Sequence, residues 1–226
     1  MEDLIIVRDD VDNLTYVNSD IVEPLYYATS PNFDKEKVKI AFIKKVESFV
    51  RRAPEYTRLI KYLREELEID RCSILDNVST SDALIEWHHA PLTLFDITEI
   101  LLNRRIDLGI PITTLSLAEE VILLHYKGLV GLIPLTKTMH DLVHSNKMKV
   151  PKNEVIGNVK LFYDEYKQFF DDDDVIKCDE FFNSNESETT EHLFLDKETK
   201  KVVQDKKLFV NSLLSKQVAI GASNDN

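Results

Sequence analysis

Four of the chain's six histidines fall into two compact pairs. His88 and His89 are adjacent at the end of the apolar run Ala83-Leu84-Ile85-Glu86-Trp87-His88-His89-Ala90-Pro91. His140 and His144 lie four apart in Thr136-Lys137-Thr138-Met139-His140-Asp141-Leu142-Val143-His144. Histidines at i and i+4 of a helix share one face, so both rings can reach a single ion at about 2.0–2.1 Å. His88, at a strand end, completes the ligand set from the opposite side. Its neighbour His89 then points to the other strand face, because side chains alternate. A ring beside the ion but not bound to it is what a general base for water activation requires. Three imidazoles on one divalent ion, with a fourth free to take a proton, make a hydrolytic centre for phosphodiesters. Glu86, two residues before His88, shares its strand face and is expected to accept the second ring N–H of His88.

Basic residues cluster around this segment in sequence: Arg104, Arg105, Lys137, Lys147, Lys149 and Lys152. Together they read as a rim of phosphate contacts that supplies a positive local field. Taken singly, each reads as part of a solvated face. His125 reads as a boundary residue of a helix, His192 as a solvated side chain and Trp87 as a core anchor. Cys72 and Cys178 are far apart without ligand spacing, and read as idle thiols rather than a disulfide.

The elements that must position these groups follow from periodicity and punctuation. A short strand is expected over 4–7. A helix over 35–52 places Val38, Ala41, Phe42, Val46 and Phe49–Val50 on one face and is stopped by Pro54; a second runs over 56–67. Strands are expected over 71–78 and 84–88, then helices over 91–103 and 115–127, the latter ended at Gly128. A short apolar strand at 129–135 leads to a helix capped by Thr136 or Thr138 that carries His140 and His144. A further helix spans 153–170. The Asp171–Asp174 run reads as a solvated helix terminus or linker. Residues 183–190 read as loose, 193–203 as a hairpin and 221–226 as a frayed tail. No internal repeat is found.

Composition bounds the class. A chain of 226 residues, 43% hydrophobic and 30% charged, is ordinary for a soluble globular protein. No apolar stretch approaches the ~18 residues of a membrane helix, and the first residues lack the pattern of a secretion signal. No membrane partner and a cytoplasmic location are therefore expected. The net charge of −12 argues against a protein that grips nucleic acid along its whole surface. The acidity is uneven, however. Residues 84–170 hold nine Lys/Arg against ten Asp/Glu, while the preceding residues hold twelve against seventeen and the following ones seven against thirteen.

The pattern Glu86-x-His88-His89-x-Pro91-Leu92, a strand, and then Thr136-x-x-x-His140-x-x-x-His144 resembles the HNH (ββα-metal) nuclease family, including its colicin DNase branch. The run Gly131-Leu132-Ile133-Pro134-Leu135 before His140, and the segment from Val150-Pro151 through Gly157-Asn158 to Tyr163–Tyr166, resemble HNH-type proteins of bacteriophages. The resemblance covers residues 83–170, about two fifths of the chain. It implies His88, His140 and His144 as metal ligands, His89 as general base and one divalent ion. Imidazoles alone accept zinc, nickel, copper and cobalt; magnesium or manganese would call for oxygen ligands. Two features depart from the family. The interval between His89 and His140 is wider than in colicin-type members, so helices interrupt the ββ hairpin. The family's asparagine is absent where expected, and Gly131 stands there.

The expected fold is α+β, mainly helical, around an HNH-like motif with an interrupted hairpin. Residues 1–80 form an amino-terminal strand and helical region, 81–170 the metal-binding domain and 171–226 an acidic extension. The expected function is a divalent-metal-dependent, phage-encoded endonuclease acting on DNA, or RNA, in the host cytoplasm. The alternative is an inactive phage interaction or inhibitor protein that keeps the motif as a structural metal site and meets a host or phage protein through its acidic surface.

Overall fold

The computed structural model describes residues 4–8, 14–18, 32–75 and 77–184. At the amino end Leu4–Arg8 (β1) pairs antiparallel with Leu14–Asn18 (β2). The helix Glu36–Arg52 (α1) buries Ile43, Val46 and Val50, spaced three and four apart as a helical stripe demands. Ala41 and Phe49, expected on that stripe, are turned away from it and exposed. Glu36 in the first turn and Arg51 and Arg52 in the last match the helix dipole. Pro54 opens Pro54–Lys61 (α2), where its missing N–H costs nothing, and a π turn at Tyr62–Glu66 continues it.

The expected strand over 71–78 does not form. Arg71 and Ser79 make one isolated bridge, and between them the backbone turns back on itself. Cys72 N–H donates to Val78 O at 2.9 Å and Val78 N–H to Leu75 O at 2.8 Å, which closes a loop too tight for an extended run. Ser73 N–H donates across to Pro134 O at 2.8 Å, so the loop still docks on the sheet.

Ile85–His89 (β3) pairs antiparallel with Leu132–Thr136 (β4), His88 opposite Ile133 and His89 opposite Leu132. Between the paired strands lie two helices, Leu94–Asp107 (α3) and Thr114–Tyr126 (α4). Each starts at a reciprocal cap, Thr93 with Asp96 and Thr113 with Ser116, which satisfies amide groups that the first turn leaves orphaned. The helical excursion inside the hairpin is thus present. Thr136, the last residue of β4, accepts from Met139 N–H and caps Lys137–His144 (α5) directly.

The single helix expected over 153–170 is broken. A short 3₁₀ turn at Lys152–Glu154 is followed by Ile156, which bridges Leu132 through two 2.8 Å bonds. Gly157 (φ +125°) then reverses the chain, and Asn158 caps Val159–Tyr166 (α6). The break is therefore a strand contact followed by a new cap. Asp171 caps Asp172–Asn183 (α7) by accepting from Asp174 N–H at 2.8 Å, so the acidic run is a helix start whose charges suit the dipole. Asp174 is nevertheless buried and held by Lys177 at 2.8 Å. His192, the hairpin expected over 193–203 and the tail over 221–226 lie outside the described residues.

The largest apolar cluster joins Ile43, Val46 and Val50 of α1 to α3, α4, Phe162 of α6 and Cys178 of α7. A second takes Ile85, Ile133 and Leu135 from the paired strands with Cys72, Val155 and Val159. Residues on both sides of 81–170 therefore pack with that segment. No helix among the described residues is long and apolar enough to cross a membrane.

Gly131 sits where the two strands converge. A Cβ built there would stand 1.9 Å from Ala90 O and 2.7 Å from Val159 Cγ2. Only a glycine lets the entry of β4 come this close to the exit of β3, where Ala90 N–H donates to Gly131 O at 3.1 Å. Gly131→Ala should lower stability by about 1–3 kcal/mol, the usual cost of overpacking, and loosen the register at His88 and His89. Urea denaturation beside wild type measures it; an unchanged midpoint would show that the backbone relaxes freely there.

Candidate metal centre

β3 presents Glu86 and His88 on one strand face, and α5 presents His140 and His144 one turn apart. Because Thr136 ends β4 and caps α5, the helix is delivered over its partner strand without a linker. The three rings meet. Their centroids are 5.0 Å apart for His88 and His140, 4.9 Å for His88 and His144, and 4.4 Å for His140 and His144. One nitrogen from each lies within 4.8 Å of the other two.

The donor set fits a cation. His140 Nε2 and His144 Nε2 are 3.2 Å apart, close to the ~3.3 Å at which two ligands of a tetrahedral ion with 2.0–2.1 Å bonds must stand. His140 Nδ1–H donates to Glu86 Oε2 at 3.1 Å, leaving the Nε2 lone pair towards His144. Glu86 thus orients His140 rather than His88, its expected partner. Burial pushes His88 down to about 4, helped by His140 and His144; burial and then His144 also lower His140, against Glu86. Rings kept neutral are rings with lone pairs to give, as metal ligation needs.

His89 points the other way, as alternation demands, but it is not alone there. Its Nε2 lies 2.9 Å from Nε2 of His125, and both residues are buried. His125 Nδ1 lies 2.7 Å from Val121 O, and the Tyr56 ring packs edge-on to His125 and parallel to His89. His125 was read as a boundary residue; it is instead 3% exposed. Its spacing from Val121 and Leu124 on the inward stripe of α4 was the signal available.

A cavity of about 80 Å³ adjoins the cluster. It is lined by the three candidate ligands and by His89, Trp87, Thr93, Leu94 and Arg51. Arg51 comes from the far end of α1 and was not singled out in the sequence. Its side chain is 55% exposed and its ion pair with Glu47 is loose at 3.6 Å.

Most of the expected basic rim is elsewhere or engaged. Arg104 and Arg105 brace α3 to α4 through Glu120 at 3.0 and 2.6 Å, and Arg105 also donates to Pro111 O and Ser116 O. Both are held by one carboxylate of the next helix, and neither lines the cavity. Lys149 lies 3.9 Å from Glu180, Lys137 3.8 Å from Asp141, and Lys152 donates to Phe182 O. Lys137, Lys147 and Lys149 are exposed.

Burial makes the metal-free protein sensitive to acid. Burial also holds His125 at about 4 and His89 well below its ordinary 6.5. Above pH 6.5 neither state carries these protons. Below it the unfolded rings take them and the buried ones refuse, so stability falls as pH drops from 6.5 towards 4. For His125 the loss is on the order of 3 kcal/mol. Asp174, raised by burial to about 6, and Glu47, also raised by burial, oppose this, but as two carboxyls against four lowered rings among the described residues. Thermal unfolding of the metal-free protein should therefore show a lower midpoint at pH 5 than at pH 7, and a rise on acidification would overturn the assignment of buried neutral rings.

No curated protein and no solved structure matches the chain. The family described as Bacteriophage G278-like virion protein matches residues 2–210, nearly the whole length. The chain belongs to that bacteriophage family.

Proposed function

We propose that this phage protein is a divalent-metal-dependent phosphodiesterase with an HNH-like site, acting on DNA and carried in or assembled with the virion. One observation supports this above the others: two paired strands and the helix that follows bring three imidazoles within reach of one ion, beside a cavity that a fourth histidine and an arginine also line. A cavity of about 80 Å³ is well below the ~300–1,000 Å³ of ordinary small-molecule pockets, on the scale of a phosphate group rather than a nucleobase.

His88, His140 and His144 would hold the ion, and Glu86 keeps His140 turned towards it. A bound divalent ion supplies Lewis-acid stabilisation of charge on the phosphate oxygens. Arg51 offers its planar fork of donors to a further phosphate oxygen. His89 takes the proton of the attacking water in passing and gives it up again, since burial disfavours its charged form.

A specific observation favours a second reading, a metal-stapled virion component without catalysis. The family is described by the particle rather than by a reaction, and the net charge is −12. The two readings separate experimentally. Purified protein loaded with zinc, nickel, magnesium or manganese should cleave plasmid, single-stranded DNA or RNA, and His89→Ala should lower the rate by about 10²–10⁴-fold, the range for a lost general base. Wild type that is as inert as His89→Ala across that screen sinks the enzyme, and unfolding on chelation then supports the staple. Metal content measured on the same preparations should fall from one ion per chain to well below that in His140→Ala. Equal content in both would remove the proposed ligand set.

A further inference from the structure

The buried pair behind the cavity carries an inference about which nitrogen of His89 can act. A carbonyl oxygen only accepts, so the 2.7 Å contact between His125 Nδ1 and Val121 O requires the proton of His125 to sit on Nδ1. Its Nε2 then carries a lone pair. The facing atom, His89 Nε2 at 2.9 Å, must supply the hydrogen of that bond. His89 is consequently the Nε2–H tautomer, and its lone pair is on Nδ1. Nδ1 has no protein partner among the described residues, while His89 lines the cavity.

We propose that His125 is a positioning residue: by accepting from His89 Nε2–H it fixes the tautomer of His89 and leaves Nδ1 as the nitrogen that accepts the proton of the attacking water. The backbone carbonyl of Val121 is the origin of this order, and the two rings pass it on. Tyr56 holds both rings, edge-on to His125 with centroids 5.2 Å apart and parallel to His89 at 6.4 Å. His125 is supplied by α4, inside the helical excursion that separates β3 from β4. That excursion therefore builds part of the site, with His125 in the orienting role. The tautomer stands on geometry alone; its use in catalysis rests on the hydrolytic reading above.

The experiment is long-range ¹H–¹⁵N NMR of the histidine rings in the full chain, metal-free and zinc-loaded, at pH 7.5. Expected are the Nε2–H pattern for His89, the Nδ1–H pattern for His125 and a ¹⁵N–¹⁵N coupling across the bond between them. Nδ1–H at His89, or no coupling, overturns the proposal in the unmodified protein, whether or not any variant folds. His125→Gln retains an acceptor oxygen and should keep the His89 pattern, whereas His125→Leu should give mixed tautomers. If the protein cleaves nucleic acid, His125→Leu should lower kcat at least tenfold with little change in KM, and His125→Gln should restore most of it. Correct tautomers in a protein that cleaves nothing would sustain the positioning claim and sink only the hydrolytic reading; a His125→Leu variant with unchanged tautomer and kcat would sink the positioning claim alone.

Discussion

The pairing of β3 with β4 across an intervening pair of helices is the constraint on which the candidate centre depends. Bringing strands together over so long an excursion costs loop-closure entropy before any contact returns it. The cost is offset by five registered residue pairs, by the close approach at Gly131 and by the buried faces of Ile85, Ile133 and Leu135. Register then determines chemistry. A slip of one residue would exchange His88 for His89 on the face that looks at α5, and the cluster of three rings would be lost. Thr136 extends the constraint to the helix, since it is both the last strand residue and the cap of α5.

The two histidine groups then divide one physical problem between them. Those on the α5 side are close enough that protonating one disfavours protonating the next, and burial of His88 adds to this. The pair on the α4 side is buried, and three of its four ring nitrogens have a defined partner among the described residues, His89 Nδ1 alone being left towards the cavity. Oriented ring nitrogens are the common outcome, on one side as three converging donors and on the other as a bonded chain ending at a backbone carbonyl.

The local part of this arrangement was legible in the sequence. A spacing of four residues on a capped helix brings His140 and His144 together wherever that helix lies, and alternation along a strand separates His88 from His89. The helical excursion was legible too, from the apolar period over 91–103 and 115–127 and from Gly128 as a stop. What failed was whatever depended on a partner distant in sequence. Glu86 shares a strand face with His88 yet bonds His140, because α5 lies over that face. Arg104 and Arg105 looked available until Glu120 of α4 was placed beside them. His125 carried only its place on the apolar stripe of α4, and Arg51, one cation among several on α1, carried no local mark. Gly157 and Asn158 did carry a mark, a reversal and a cap inside a periodic stretch, but the apolar period ran on through them and concealed the break.

The charge balance narrows what the proposed site can recognise. With Arg104 and Arg105 both drawn to Glu120 and absent from the lining, the cavity has Arg51 and the capacity for one divalent ion as its positive charge, set in a chain of net charge −12. Such a surface does not hold a duplex along a groove, which takes many phosphate contacts and shows a steep dependence on salt. It suits engagement of one phosphate at a time. At physiological ionic strength the Debye length is about 8 Å, so carboxylates elsewhere on the exterior are screened from a cavity that is itself partly buried. On the proposed reading, the acidic exterior disfavours loitering on nucleic acid, while the local field at Arg51 and the ion acts only on a phosphate that has already entered.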